Sequence, residues 1–240
     1  MSRIFSVIFI SLISLSAFSQ KQVDDANAVV RKVSGFHGIK VSTGITVYLT
    51  QGGSEAVAVS ANDTEYRDRI RTEVVNGVLK IYFDNDDWKV WKNFSGKKLR
   101  AYVSVVNLDQ LDVSSGASVE VDGRIKTDKL SIDASSGATV KGAFDAGSLD
   151  VDQSSGSVVS ISGSVSGTCK VEGSSGSVFK GYDLTTDNCD AHTSSGAGIQ
   201  ITVNKELSVN ASSGGYIHYK GNGLIRDVKT SSGGSVTRKS

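Results

Sequence analysis

A single tripeptide, Ser-Ser-Gly, recurs along the second half of the chain and constrains the fold more than any other feature. It occurs seven times, with successive glycines 21, 19, 20, 20, 18 and 19 residues apart. Three residues after each glycine stands a large apolar residue, in order Val119, Val140, Val159, Phe179, Ile199, Ile217 and Val236. Repetition of both the tripeptide and its flanks at about twenty residues indicates a stack of similar units rather than a linker.

The residues before each glycine alternate between apolar and polar. The segment Leu130-Ser131-Ile132-Asp133-Ala134 shows this period of two, which is typical of a strand with one buried face. The residue after each glycine is always Ala, Ser or Gly. We therefore predict a strand, a tight bend whose small side chains fit a confined space, a second strand, and a short return such as Phe144-Asp145-Ala146-Gly147.

One such unit cannot bury its own apolar face, whereas stacked units can. The pattern predicts an all-β fold, a parallel β-helix or β-solenoid with neighbouring coils about 4.8 Å apart; a β-sandwich is the alternative. The N-terminal third repeats the offsets around Gly44 and adds a short helix from Asn62-Asp63-Thr64 to Arg71 and a hairpin at Asn76-Gly77. We expect this section to cover the open end of the first coil, which otherwise exposes strand edges.

The first twenty residues have the features of an export signal. Arg3 precedes an apolar run from Ile4 to Leu15, and Ala17-Phe18-Ser19 reads as a cleavage site. The run is shorter than the roughly 20 residues that span a bilayer. We predict a signal peptide over 1–19 and one solenoid domain over 20–240, with regular coils from about residue 100. The mature protein is expected in the periplasm, at the outer membrane or outside the cell, without spanning a membrane.

Several motifs occur in an ordered combination along the chain. Phe36-His37-Gly38-Ile39-Lys40-Val41 comes first, Asn76-Gly77-Val78-Leu79-Lys80-Ile81 follows, and the Ser-Ser-Gly coils complete the series. From Val33 to Val236 the chain resembles the Bacteroidetes family described as "putative auto-transporter adhesin, head GIN domain". The resemblance implies a right-handed parallel β-helix in an exported protein and a role in adhesion.

The most unusual segment outside the repeats contains both tryptophans of the chain, Trp88 and Trp91, after the acidic residues Asp84 and Asp86. Exposed tryptophan can stack on sugars or anchor a protein interface. We therefore take these four residues as the candidate ligand-binding site. The alternative is a loop whose tryptophans pack on the side of the solenoid.

Acidic residues recur at the outward positions four and six residues before the glycines. The series comprises Asp112, Asp133, Asp150, Asp152, Glu172 and Asp190, joined by His192 and Asn210. Such a ladder could hold a cation such as Ca²⁺, but a solvated strand face is the simpler interpretation. No residue breaks the repeat as a nucleophile would, and active sites usually break local rules. We predict no catalytic residues, no metal and no cofactor.

The charge balance bears on the class of partner. With 26 basic and 25 acidic residues the formal net charge is +1, which gives no electrostatic basis for binding nucleic acid. The leading hypothesis is a non-catalytic envelope or surface module that binds a glycan or an envelope or host protein. The alternatives are a carbohydrate-active enzyme of lyase or hydrolase type on the same scaffold, and a self-associating, homo-oligomeric solenoid.

The two cysteines, Cys169 and Cys189, each lie seven residues before a repeat glycine. Leucines fill this position in other coils (Leu130, Leu149 and Leu207), so it points inward. Stacking would place the two Cα atoms about 4.8 Å apart, inside the roughly 4.4–6.8 Å range of disulfides. Because an exported compartment permits oxidation, we predict a disulfide; a pair of buried thiols is the alternative.

Overall fold

The computed structural model describes residues 25–84 and 96–240 as a β-solenoid, which confirms the predicted fold class. Five long strands form the regular coils and pair in parallel with the next coil. They are β9 (Ser118–Ala134), β10 (Thr139–Gln153), β11 (Val158–Gly173), β12 (Val178–Thr193) and β13 (Gly198–Ala211). Three shorter strands follow, β14 (Tyr216–Lys220), β15 (Leu224–Thr230) and β16 (Ser235–Arg238). Strands β14 and β15 both stack on β13, and β16 stacks on β14; residues 216–240 are called the last coil below. No helix in the described part of the chain is long and apolar enough to cross a membrane.

The short return predicted at Phe144-Asp145-Ala146-Gly147 is wrong. These residues belong to β10, and Phe144 lies in register between Ile125 and Gly163 of the adjacent coils. Both Phe144 and Ile125 are buried, so this part of the coil is a third strand segment whose side chains add to the core. Each regular coil is therefore one long strand, bent at shifts of register, and one Ser-Ser-Gly turn.

The Ser-Ser-Gly corner is a two-residue turn with positive φ at both central positions. In one coil Ser155 has φ 52° and Gly156 has φ 71°, and the amide of Ser157 donates to the carbonyl of Ser154 over 3.1 Å. This is the geometry of a type I′ turn. The small residues on both sides of the glycine were predicted to fit a confined bend. The residue after the glycine is buried, as in Ser157, but for the residue before the glycine this reason is wrong. Ser155 is exposed, and a methyl group on the Cα of Gly156 would meet no side chain or backbone of another coil within 4 Å, so the left-handed backbone is what favours these residues.

The turns of successive coils are joined to one another. From Gly116 to Gly214, the amide of each repeat glycine donates to the carbonyl of the second serine in the next coil, as in Gly156 to Ser175 over 3.1 Å and Gly176 to Ser195 over 3.0 Å. The series begins at Gly44, whose amide donates to the carbonyl of Ser115 over 3.0 Å. The corner therefore carries a row of hydrogen bonds parallel to the solenoid axis.

The N-terminal strands are stacked out of chain order. They are β1 (Val29–Arg31), β2 (Gly38–Val41), β3 (Thr46–Gln51), β4 (Ala56–Ser60), β5 (Ile70–Val75), β6 (Val78–Phe83), β7 (Arg100–Val105) and β8 (Gln110–Val113). Strand β2 lies between β6 and β8, and β3 lies between β7 and β9. The first coil is thus enclosed by two coils that come later in the sequence.

Beyond these coils, antiparallel strands and the helix close the N-terminal end. Strand β4 pairs with β7, β1 pairs with β4, and β5 pairs with β6 across the predicted Asn76-Gly77 turn. The helix α1 (Thr64–Asp68) begins after the cap Asp63, whose carboxylate accepts from the amide of Glu65. It ends before the predicted Arg71 because Ile70 is buried and pairs with Phe83 in the β5–β6 hairpin.

The interior beside the turns contains a buried polar side chain without a partner. Gln153 is buried, and neither its Nε2 nor its Oε1 has a hydrogen-bond partner among the described residues. The amide extends into the space beside Gly173 of the next coil, which has no side chain to fill it. Burying an unpaired amide costs free energy.

Replacing Gln153 by leucine is expected to stabilise the fold. Gln153→Leu keeps a similar volume and removes the unpaired amide, so the free energy of unfolding should rise by about 1–3 kcal/mol. Thr193→Val removes a buried hydroxyl that also has no partner among the described residues, so it should raise the free energy of unfolding by a smaller amount. Urea denaturation measures both changes. A loss of stability in both variants would contradict this account.

Candidate functional site

Of the predicted loop site, only Asp84 lies within the described residues; Asp86, Trp88 and Trp91 lie outside them. The carboxylate of Asp84 accepts from Nε and Nη2 of Arg71 over 3.0 and 2.8 Å, and its amide donates to the carbonyl of Arg69 over 3.0 Å. Asp84 is therefore an ion-paired anchor at the end of β6.

The other end of this segment is anchored on the same side of the molecule. Asn62 donates from Nδ2 to the carbonyl of Gly96 over 3.1 Å, and the amide of Lys98 donates to its Oδ1 over 3.3 Å. The ammonium of Lys97 lies 4.4 Å from the ring centre of Tyr66. Strand β6 ends and β7 begins at the corner at which the other coils carry a two-residue turn.

The predicted outward series forms an uninterrupted column across the stacked coils, which we call the acidic ladder. In register order it consists of Lys40, Asp112, Asp133, Asp152, Glu172, His192, Asn210 and Lys229. Neighbouring members belong to adjacent coils, about 4.8 Å apart. A second column six residues before the glycines runs beside it and contains Asp150, Lys170 and Asp190. The structure therefore brings the predicted outward residues together on one face.

Ion pairs neutralise parts of the acidic ladder. Lys40 lies 3.5 Å from Asp112, and Lys170 lies 2.8 Å from Glu172. Asp133 lies between them: partial desolvation and then the nearby charges of Asp112, Asp152 and Asp150 raise its pKa. The centre of the ladder is thus electrostatically strained. Within residues 25–84 and 96–240, no three His, Cys, Asp or Glu side chains converge closely enough to hold a metal ion.

Removing the charge of Asp133 is expected to stabilise the protein at neutral pH. Because its pKa is raised on folding, the ionised carboxylate destabilises the folded state; this cost is absent below the ordinary pKa of 3.8 and complete above the raised one. Asp133→Asn should therefore gain about 0.5 kcal/mol at pH 7, the scale of interactions between exposed charges. The gain should vanish near pH 3, as thermal unfolding at the two pH values would show.

Glu120→Gln is the matched control for this change. Glu120 lies on the outer face of β9, in register with Tyr48 and Lys141 rather than with other carboxylates. It should give no gain at pH 7. Equal stabilisation by both variants would contradict the assignment of the effect to the acidic ladder.

A shallow groove of about 230 Å³ runs beside the C-terminal half of the acidic ladder. Its walls combine four ladder residues with the first serines of three turns: Asp152, Glu172, His192, Asn210, Ser174, Ser194 and Ser212. The wall therefore offers carboxylate, imidazole, amide and hydroxyl groups in a line along the axis. Such a surface suits an extended ligand rich in hydroxyl or amide groups.

The repeat pattern predicted the acidic side of the groove but not its serines. These serines were assigned only to the bend, although they lie two residues before the glycine and so share the outward parity of the ladder. That parity was the signal that could have found them. Their backbone amides are used between coils, as in Ser174 to Gln153 over 2.9 Å.

The two cysteines occupy the predicted positions. Cys169 and Cys189 are direct partners in the β11–β12 register and are 3% and 4% exposed. The structure holds both as thiols. The hydrogen bond with Cys169, together with burial, raises the pKa of the Cys189 thiol well above its usual range. The stacking is confirmed, and the disulfide stays a prediction.

Comparison with known proteins places this architecture in context. The model of a family described as "Putative auto-transporter adhesin, head GIN domain" matches residues 35–223. None of the curated proteins matches the chain.

Among solved structures, a "putative adhesin" from Bacteroides fragilis is 16% identical, with a TM-score of 0.77 over 90% of this chain and 98% of the other. A "putative lipid binding protein" from Parabacteroides distasonis is 19% identical, with a TM-score of 0.63 over 90% and 98%. A "putative adhesin" from Parabacteroides merdae is 16% identical, with a TM-score of 0.64 over 89% and 95%. These likenesses establish that the fold is shared.

Proposed function

The chain belongs to the family described as "Putative auto-transporter adhesin, head GIN domain", and we propose that it is an exported, non-catalytic binding module of the cell envelope or surface. Its location would be the periplasm, the outer membrane or the extracellular space, reached through the signal peptide at 1–19. Its ligand would be an extended glycan or a polypeptide of the envelope or host.

The observation that carries the proposal is the groove beside the acidic ladder. Ser174 and Ser194 line it together with Glu172 and His192, so hydrogen-bond donors and acceptors repeat from coil to coil. A ligand with a regular repeat of polar groups can contact several coils at once, and weak contacts then add up. We propose that Trp88 and Trp91, which lie in the sequence between β6 and β7, add aromatic stacking to this surface.

A glycan array probed with the mature protein tests the proposal. Binding to a glycan class is expected, and His192→Ala and Asn210→Ala should each weaken it by about tenfold, the equivalent of one lost hydrogen bond near 1.4 kcal/mol. Lys180→Ala is the matched control, because Lys180 is exposed at the opposite end of β12 from His192 and does not line the groove. Binding that survives both groove changes would overturn the assignment of the site.

The same measurement separates the two predictions for the loop. If the tryptophans form a recognition surface, Trp88→Ala and Trp91→Ala should reduce binding without lowering the melting temperature. A large loss of stability with unchanged binding would indicate that the two tryptophans pack against the solenoid instead of binding a ligand.

A carbohydrate-active enzyme on this scaffold is the second candidate function. One observation favours it: the raised pKa of Asp133, since perturbed carboxylates are typical of catalytic acids. Incubation with the glycan that binds distinguishes the two. Release of reducing ends or unsaturated products that Asp133→Asn abolishes would establish the enzyme, whereas recovery of the intact glycan supports a binding module.

A further inference from the structure

The last coil leaves the core of the solenoid open. In register, Ile225 stacks on Leu207 and Val228 on Val209. The two residues of the inner coil are buried, whereas Ile225 is 36% and Val228 is 50% exposed. Strand β15 pairs only with β13 and β16 only with β14 among the described residues, so the far edge of each has unpaired backbone groups.

Positive charge surrounds this open end. The last coil contributes five cations, Lys220, Arg226, Lys229, Arg238 and Lys239, and one carboxylate, Asp227. Arg226 pairs with Glu206 of the coil below, and Lys229 lies 3.1 Å from Asp227. With the carboxylates of Asp227 and Glu206 set against the five cations, the side chains of this surface have an excess of three positive charges.

The opposite end of the solenoid differs in both respects. Strands β1, β4 and β5 and the helix α1 close it, and these four elements contain three basic and three acidic residues. A second copy stacked on this neutral end would find no complementary charge. Two copies joined through their last coils would bring like charges together, which opposes association.

We propose that the last coil binds an acidic, extended segment of another protein as an additional strand. Its backbone would pair with the free edge of β15, its apolar side chains would cover Ile225 and Val228, and its carboxylates would meet the cations at the rim. Strand addition of this kind uses backbone hydrogen bonds for affinity and alternate side chains for specificity. A lipid surface suits the edge poorly, because hydrocarbon cannot satisfy unpaired amides and carbonyls.

Two labelled peptides added to the mature protein test the proposal by fluorescence anisotropy. The first alternates valine with glutamate over nine residues, and the second alternates valine with lysine. We expect the glutamate peptide to bind at least about ten times more tightly at low salt and to weaken as salt is raised. Equal affinities for the two peptides would overturn the proposal.

Variants of the last coil locate the binding surface. Lys229→Glu, Lys239→Glu and Val228→Ser should each weaken the glutamate peptide by about fivefold or more, and because all three side chains lie on the open coil, the fold should persist by circular dichroism. Lys180→Glu carries the same charge change on a regular coil and should leave binding unchanged. A fall in affinity with Lys180→Glu as large as with Lys229→Glu would overturn the assignment.

Two further measurements exclude other occupants. Vesicles of anionic phospholipid should not displace the glutamate peptide, and sedimentation of the free protein should show one copy at micromolar concentration. Displacement of the peptide by vesicles would show that the last coil binds a membrane instead of a strand. A dimer that Val228→Ser dissociates would show that the last coil binds a second copy of the protein. The groove plays no part in these measurements, so their outcome is independent of the glycan test.

Discussion

Phe179→Ala is expected to lower the free energy of unfolding by about 3–5 kcal/mol, the range for removing a buried aromatic side chain. Phe179 is fully buried and stands in register between Val159 and Ile199 of the adjacent coils. Its ring also lies against Gly181, so closely that a methyl group there would collide with it. The coils on both sides are held by their own hydrogen bonds and cannot collapse into the space. Urea denaturation measures the loss.

The neighbouring residue is the matched control. Lys180 points outward from the same strand and is exposed, so Lys180→Ala should change the free energy of unfolding by no more than about 0.5 kcal/mol. The pair separates burial from any general sensitivity of β12 to substitution. Similar losses from both changes would contradict the assignment of inward and outward faces.

Oxidised protein isolated from an exporting cell is expected to show no free thiols after denaturation without reductant. The direct register of Cys169 and Cys189 implies the strand separation of about 4.8 Å, which is within the Cα–Cα range of disulfides. Closing a loop of this length should stabilise the fold by about 3 kcal/mol on the chain-entropy model. Adding reductant should therefore lower the free energy of unfolding by that amount. Two thiols per chain would reject the bond and leave the stacking intact.

A double variant removes other effects of the reductant. Cys169→Ala combined with Cys189→Ala should have the same stability with and without reductant. Oxidation of the folded wild-type protein should be slow, since burial and the shared hydrogen bond raise the pKa of Cys189 and the thiolate is the reactive form. If reductant destabilised the double variant as well, the loss could not be assigned to this bond.

The repeat and its parity were enough to predict the strand segments on either side of each turn. Alternation around residues such as Ile132 and Phe179 identified inward positions, and the structure buries both. The same reasoning failed for the residue before the glycine, because a positive φ rather than lack of space selects it. The third strand segment was missed at Phe144, since bulges in the register interrupt the alternation there.

The stacking of the N-terminal coils could not be predicted. Strand β2 has a pattern that suits any parallel neighbour, and nothing local shows that it pairs with both β6 and β8. The acidic ladder was predicted because its members repeat at one offset. The groove was not predicted. It forms where the ladder and the first serines meet at a corner, and the spacing of residues in the sequence does not show how the chain curves there.

The enclosure of the first coil by two later ones has a consequence during protein synthesis. Lys40 pairs in register with Asp112, 72 residues ahead, whereas partners in regular coils are about 20 apart. The longer loop adds roughly 1 kcal/mol to the entropy cost of closure. Strand β2 can pair with both β6 and β8 only after residues near 113 have left the ribosome. From there each newly translated coil can add to a finished template, so the molecule should assemble from its N-terminal end in one slow step followed by rapid ones.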